Sequence, residues 1–212
     1  MRTWLRIVAW LTGVVGVVAL VLYAFVFDVW TVPNDDPVLA ASVEPTLSAG
    51  DVVLVSRQTS VARGNLLRCA DPQAPGRFVI GRAMARFGDK LELREEVVTL
   101  DGRRTPSPRR CDPPTMVIHD PQTNDDVSLA CCVEEFGEMT YASLRSLDHP
   151  EPPTRGVEVE AGRWFLVSDD RHVHLDSRDF GQIDPAACQH IVFRLVGAAG
   201  FGDRNKRLSI IW

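Results

Sequence analysis

An unbroken apolar run from Ile7 to Phe27, with no charged side chain inside it, is the feature that most constrains this chain. A bilayer's hydrocarbon core takes roughly 20 residues of helix, and the run has that length. A buried helix of a soluble domain and a cleaved leader are the rival readings. A leader's apolar region is usually about 7 to 15 residues and ends at a small-residue site, whereas this run is longer and leads into Phe27-Asp28-Val29-Trp30. An uncleaved anchor is therefore expected. Arg2 and Arg6 precede the run, Asp28 follows it, and Trp4 and Trp30 bracket it as interfacial residues would. The positive-inside tendency then places residues 1–6 in the cytoplasm, residues 7–27 across the cell (inner or plasma) membrane as a single pass, and residues 28–212 outside.

Beyond Pro33 the apolar residues come in short runs broken by turn formers, the pattern of an antiparallel β domain and not of alternating strands and helices. The expected fold class is mostly β, preceded by one transmembrane helix. Strands are predicted at 51–55, 66–67, 78–80, 91–93, 97–100, 164–167 and 191–195, with a hairpin turn at Asp101-Gly102, a pair that tolerates positive φ. From about 103 to 160 the composition shifts to Pro, Asp, Arg and Cys. This stretch reads as a cap inserted on the β core, and its prolines, including Pro106, Pro108, Pro113 and Pro114, argue against long regular elements there.

A net charge of −5 speaks against nucleic acid as a partner, since such domains usually carry a basic face. Five cysteines suit an oxidising, exported setting. Cys111 is expected to pair with Cys131 or Cys132, while Cys69 and Cys188 either pair or stay free. No CxxC spacing is present, and neither a metal nor another cofactor is expected.

The chemistry lies in three blocks. Ser42 begins Ser42-Val43-Glu44-Pro45-Thr46-Leu47, where Pro45 fixes φ and is expected to hold the serine on a rigid bend facing a cleft. Arg82 precedes Gly88-Asp89, and Asp169-Asp170-Arg171 is followed by Asp176-Ser177-Arg178. In order, in spacing and in their place after an anchor, these blocks resemble the type I signal peptidases, the S26 serine endopeptidases. The resemblance covers most of the chain outside the insertion. It implies an antiparallel β catalytic domain on the outer membrane face that removes signal peptides from exported proteins after a small-x-small motif. The substrate would bind as an added strand. Signal peptides and the lipid bilayer are the implied partners, with Ser42 as nucleophile and with Arg82, Asp176 and Arg178 in supporting salt bridges. Trp30 and the Leu208–Trp212 tail are expected either at the lipid interface or in the core.

Two departures from the family pattern matter. The general-base lysine of the family immediately precedes the arginine that matches Arg82, and that position here is Gly81; of the two lysines, Lys90 and Lys206, neither falls in that register. Arg82 does not substitute, because a guanidinium stays protonated. The second departure is His174, where the family usually has a serine touching the lysine. A histidine begins near pKa 6.5 and needs no desolvation to serve as a base near neutrality. His174 is therefore the candidate relocated base, reaching Ser42 through the room left by Gly81, with Asp170 or Asp176 orienting the ring. Endoplasmic-reticulum signal peptidases offer a precedent for histidine, at the lysine's own position. His172 is a minor candidate; His119, His149 and His190 read as surface or structural residues. Ala40 stands where some members place an oxyanion-hole hydroxyl, and Ser168 and Asp170 replace the glycine and asparagine that flank Asp169 in the family.

Two functions follow. One is a membrane-anchored serine endopeptidase with Ser42 and a moved base. The other is an inactive relative that binds exported chains or a partner without cutting them.

Overall fold

The apolar run folds as one helix, α1 (Arg2–Phe25). Its most apolar stretch, Thr3–Val21, has a mean hydropathy of 2.0, and none of it is buried against the rest of the chain. This helix is long and apolar enough to cross a membrane, and a core helix of the domain is excluded. The computed structural model describes residues 2–58, 60–94, 96–104, 109–136, 139–146, 148 and 154–211. Pro106, Pro108, His149 and Trp212, weighed above, lie outside them.

In chain order, α1 is followed by β1 (Phe27–Thr31), α2 (Pro37–Ser42), β2 (Val52–Ser56), β3 (Leu66–Ala70), β4 (Phe78–Arg86), β5 (Lys90–Arg94), β6 (Val97–Leu100) and β7 (Arg103–Arg104). Then come β8 (Arg109–Asp120), β9 (Asp125–Phe136), β10 (Met139–Arg145), β11 (Thr154–Glu158), β12 (Trp164–Val167), α3 (Ser177–Phe180), β13 (Cys188–Val196) and β14 (Ser209–Ile210). Each pairing between these strands is antiparallel, as the turn-broken pattern predicts; an isolated bridge from Leu144 to Asp170 is parallel. The main sheet runs β1-β2-β13-β3-β4-β12 with β14 on β13, a second runs β11-β5-β6-β7, and a third runs β10-β9-β8. At the predicted β6–β7 hairpin, Asp101 and Gly102 both take left-handed φ, 51° and 74°, the backbone a two-residue turn needs.

The segment from about 103 to 160 corrects one expectation. Both β8 and β9 are 12 residues long, despite the prolines. Pro113 and Pro114 sit in β8, an edge strand, where the register shifts between Arg110 and Thr115. An edge or bulge position tolerates the missing N–H, which a central strand would not.

Apolar side chains from α2, the turn after it and the main sheet form one core, which includes Leu39, Val43, Leu47, Val53, Val55, Leu66, Ile80 and Ile191. Ile211 joins it, whereas Leu208 and Ile210 are exposed. Trp30 is half-buried, edge-on to Phe78. The tail is thus split between core and surface. Disulfides join Cys69 to Cys188, register partners on β3 and β13, and Cys111 to Cys131, leaving Cys132 as a buried free thiol.

Candidate active site

Ser42 ends α2, and that helix is set by its start. Asp36 accepts a hydrogen bond from Leu39 N at 3.2 Å as N-cap, and Pro37 follows at the first helical position, where its missing N–H costs nothing. Asp36 also pairs with Arg77. Ser42 thus sits at the end of a capped turn of helix, ahead of the turn that contains Pro45. Ser42 is not open to a cleft: its side chain is fully buried, and Oγ donates to Leu39 O at 2.8 Å. A cleft of about 530 Å³, lined by Trp30, Pro33, Asp35, Asp36, Leu39, Gly76, Arg77 and Phe78, reaches Leu39, the residue whose carbonyl holds the serine proton.

The three motif blocks meet on Asp169. Arg82 clamps it, Nε to Oδ1 at 2.7 Å and Nη2 to Oδ2 at 3.0 Å, while Thr46 Oγ1 donates to Oδ2 at 2.6 Å. Arg82 also donates from Nη1 to Gly64 O at 2.9 Å. Sequence reasoning gave Arg82, Asp176 and Arg178 a shared supporting role. In the fold they separate: Arg82 pairs with Asp169, and Arg178 pairs with Asp176 at 2.8 Å. Asp176 holds the next loop, capping α3 through Arg178 N and accepting Ser168 N at 2.7 Å. Its carboxylate lies below its ordinary range; burial alone would raise it, and Arg178 together with the N–H donors overcomes that.

Asp170 touches the serine segment directly, its N–H donating to Ser42 O at 3.1 Å. Its Oδ1 accepts from His172 N and Val173 N, each at 2.9 Å, whereas Oδ2 is buried with no hydrogen-bond partner among the described residues. Burial pushes this carboxyl up to about 7, with Glu96 and Glu44 adding repulsion against the pull of the two N–H groups.

His174 is partly exposed, and its Nδ1 lies 2.9 Å from Asp179 Oδ2. The carboxylate that meets the ring is Asp179, which sequence reasoning missed, and neither Asp170 nor Asp176. Its signal was the α3 capping box, in which Asp179 also accepts Asp176 N. His174, Asp176 and Asp179 lie close enough to share a cation. However, the oxygens of Asp176 are already engaged by Ser168 N and by Arg178, so the cluster serves as a helix cap. No hydrogen bond joins His174 to Ser42 among the described residues.

Gly81 leaves no room of the kind expected. A Cβ there would lie 3.1 Å from Leu166 Cβ and 3.5 Å from Val167 N and O. The neighbouring strand has closed over the glycine. Ala40 is buried in the core, and Ser168 Oγ accepts Leu175 N at 3.2 Å. His119 is exposed beside Asp126 at 3.0 Å, His172 carries a buried Nδ1 with no partner among the described residues, and burial lowers His190, with Arg82 adding to the effect.

Thr46 of the serine segment, Arg82 of β4 and the loop that carries Asp169 thus meet at one buried carboxylate, in a mostly antiparallel β domain behind an apolar N-terminal helix. The family model described as signal peptidase, peptidase S26, matches residues 4–193. The chain belongs to that family. A comparison with curated proteins finds no match.

Proposed function

We propose that this protein is a membrane-anchored serine endopeptidase of the signal peptidase I type, with its N-terminus in the cytoplasm and its β domain on the outer face. It removes signal peptides after a small-x-small motif. The observation that carries this reading is the convergence of Thr46, Arg82 and Asp169, with Asp170 N on Ser42 O at 3.1 Å. Ser42 is the nucleophile. His174 is the base: Asp179 engages Nδ1 and leaves Nε2 to take the serine proton, the arrangement by which a carboxylate sets an imidazole's tautomer. In turnover the Ser42 hydroxyl leaves Leu39 O, gives its proton to His174 Nε2 and attacks the scissile carbonyl. The imidazolium then protonates the leaving amine, and water releases the acyl group. Arg82, Asp176, Arg178 and Asp170 hold the loops around this path.

The burial of Ser42 and the closure of Leu166 over Gly81 favour a second reading, an inactive relative that binds exported chains. Incubating the full chain in detergent with a small-x-small signal peptide separates the two. The enzyme reading expects cleavage that Ser42→Ala and His174→Ala abolish equally. Full activity in His174→Ala would sink the moved base, and no turnover by the natural chain would favour the binder.

A further inference from the structure

The inserted sheet carries one side chain whose placement ties it to the serine. Glu134, on β9, is fully buried. It accepts Tyr141 Oη at 2.9 Å and the Ser143 hydroxyl, and lies 2.8 Å from Arg145 Nη2, all three groups from β10 of its own sheet. The fourth partner is foreign to that sheet. Arg171 of the Asp169–Arg171 loop brings Nη2 to 3.3 Å from the same carboxylate.

Arg171 is fully buried and also donates to Ser168 O. Neither Asp169 nor Asp176 is spare for it, since Arg82 and Arg178 clamp them. Glu134 is its ion-pair partner within 4 Å among the described residues. The backbone repeats the connection: Leu144 N donates to Asp169 O and Arg171 N to Leu144 O, both at 2.9 Å. Between those two contacts, Asp170 N points the other way and bonds Ser42 O at 3.1 Å. Positions 169 and 171 therefore grip the insertion while 170 grips the serine segment. The Arg82 guanidinium, which clamps Asp169, lies over the Tyr141 ring at 4.1 Å.

The geometry points to Glu134 as a positioning residue for Ser42, through Arg171 and the Asp170–Ser42 contact; the inserted sheet is then a working part of the site. The role in catalysis rests on the peptidase reading, whereas the positioning itself does not. A buried guanidinium deprived of its anion must seek water or another partner. Arg171 then keeps Tyr141 Oη at 3.4 Å and Ser168 O, neither of them an anion, and its search for another partner pulls on the backbone of the 169–171 loop, which loosens the hold on Ser42. Burial would raise the Glu134 carboxyl, but Arg171, Arg145 and Ser143 hold it down at about 2, so the anion persists across neutral pH.

The test compares the full chain with Glu134→Gln and Glu134→Asp by hydrogen exchange read peptide by peptide. Aspartate keeps a charge beside Arg145 but has one methylene less with which to reach Arg171, and it decides the matter if the glutamine variant does not fold. Exchange across 168–173 is expected to rise at least about tenfold while β8 and β9 keep their protection. Unchanged exchange at 168–173, or a uniform rise across the inserted sheet, overturns the proposal. Where the natural chain cleaves its peptide, kcat is expected to fall about tenfold or more with KM nearly unchanged, the mark of a displaced nucleophile. A rise in KM alone would count against positioning. Absence of cleavage in the natural chain would remove the peptidase reading and leave the exchange result standing.

Discussion

Arg82 and Asp169 form a two-pronged ion pair with both side chains fully buried, bridging residues 87 apart in sequence. Because Thr46 donates to the same carboxylate, this pair joins the serine segment to the loop that carries Asp170 and His174.

Removing either partner leaves a charge stranded in the interior. Arg82→Met or Asp169→Ala is expected to cost about 3–5 kcal/mol, and Arg82→Lys to rescue little, because an ammonium does not reproduce the fork that meets both oxygens and Gly64 O. Urea unfolding of the purified chain checks this. A shift below about 1 kcal/mol for the single variants would show the pair to be dispensable.

Asp170 gives a pH dependence with a definite sign. Its folded pKa, about 7, lies above the ordinary 3.8 because burial disfavours the anion. The folded state therefore binds this proton more tightly. The stability it contributes is complete below the unfolded pKa and is lost as pH rises from there through about 7. Asp170→Asn is expected to change stability little near pH 3, and to raise it by on the order of a few kcal/mol at pH 8. Equal melting-temperature shifts at both pH values would contradict the assignment.

Restoring a side chain at Gly81 is expected to be costly. Gly81→Ala puts Cβ 3.1 Å from Leu166 Cβ, an overpacking of the kind that costs roughly 1–3 kcal/mol. Leu166→Ala keeps the offending atom and brings no relief, whereas Leu166→Gly removes it. Denaturation midpoints of the single and double variants test this. Rescue by Leu166→Ala would show that the conflict lies elsewhere.

The Cys69–Cys188 disulfide closes 119 residues, which in the chain-entropy picture stabilises by roughly 4–5 kcal/mol. Cys69→Ser with Cys188→Ser is expected to lose about that much, and more than Cys111→Ser with Cys131→Ser, whose loop spans only 20 residues. Thermal melts of the two double variants, compared with the natural chain, settle the order.

Much of the fold was legible along the chain. Val97–Leu100 and Trp164–Val167 are strands with the predicted bounds, while Phe78–Ile80 is the start of a strand that runs on to Arg86. That strand continues past Gly81 because β3 and β12 flank it on both sides, something its own periodicity does not show. α2 went unread because six residues are too few for a helical period, although Asp36-Pro37 carried a start signal. The long strand β8 is hidden in the sequence by Pro113 and Pro114, whose edge position is a property of the sheet.

By itself the sequence determined what local patterns can determine: an apolar span of membrane length, an antiparallel β class, the serine, arginine and aspartate blocks, and a glycine where a lysine is expected. Only the tertiary structure decided which charges meet. Asp169 goes to Arg82, Asp179 to His174 and Glu134 to Arg171. Such partners are chosen by sheet order and register across tens of residues, and a carboxylate carries no mark of its cation in the chain. For the same reason a glycine at 81 does not by itself announce free space: β12 fills it.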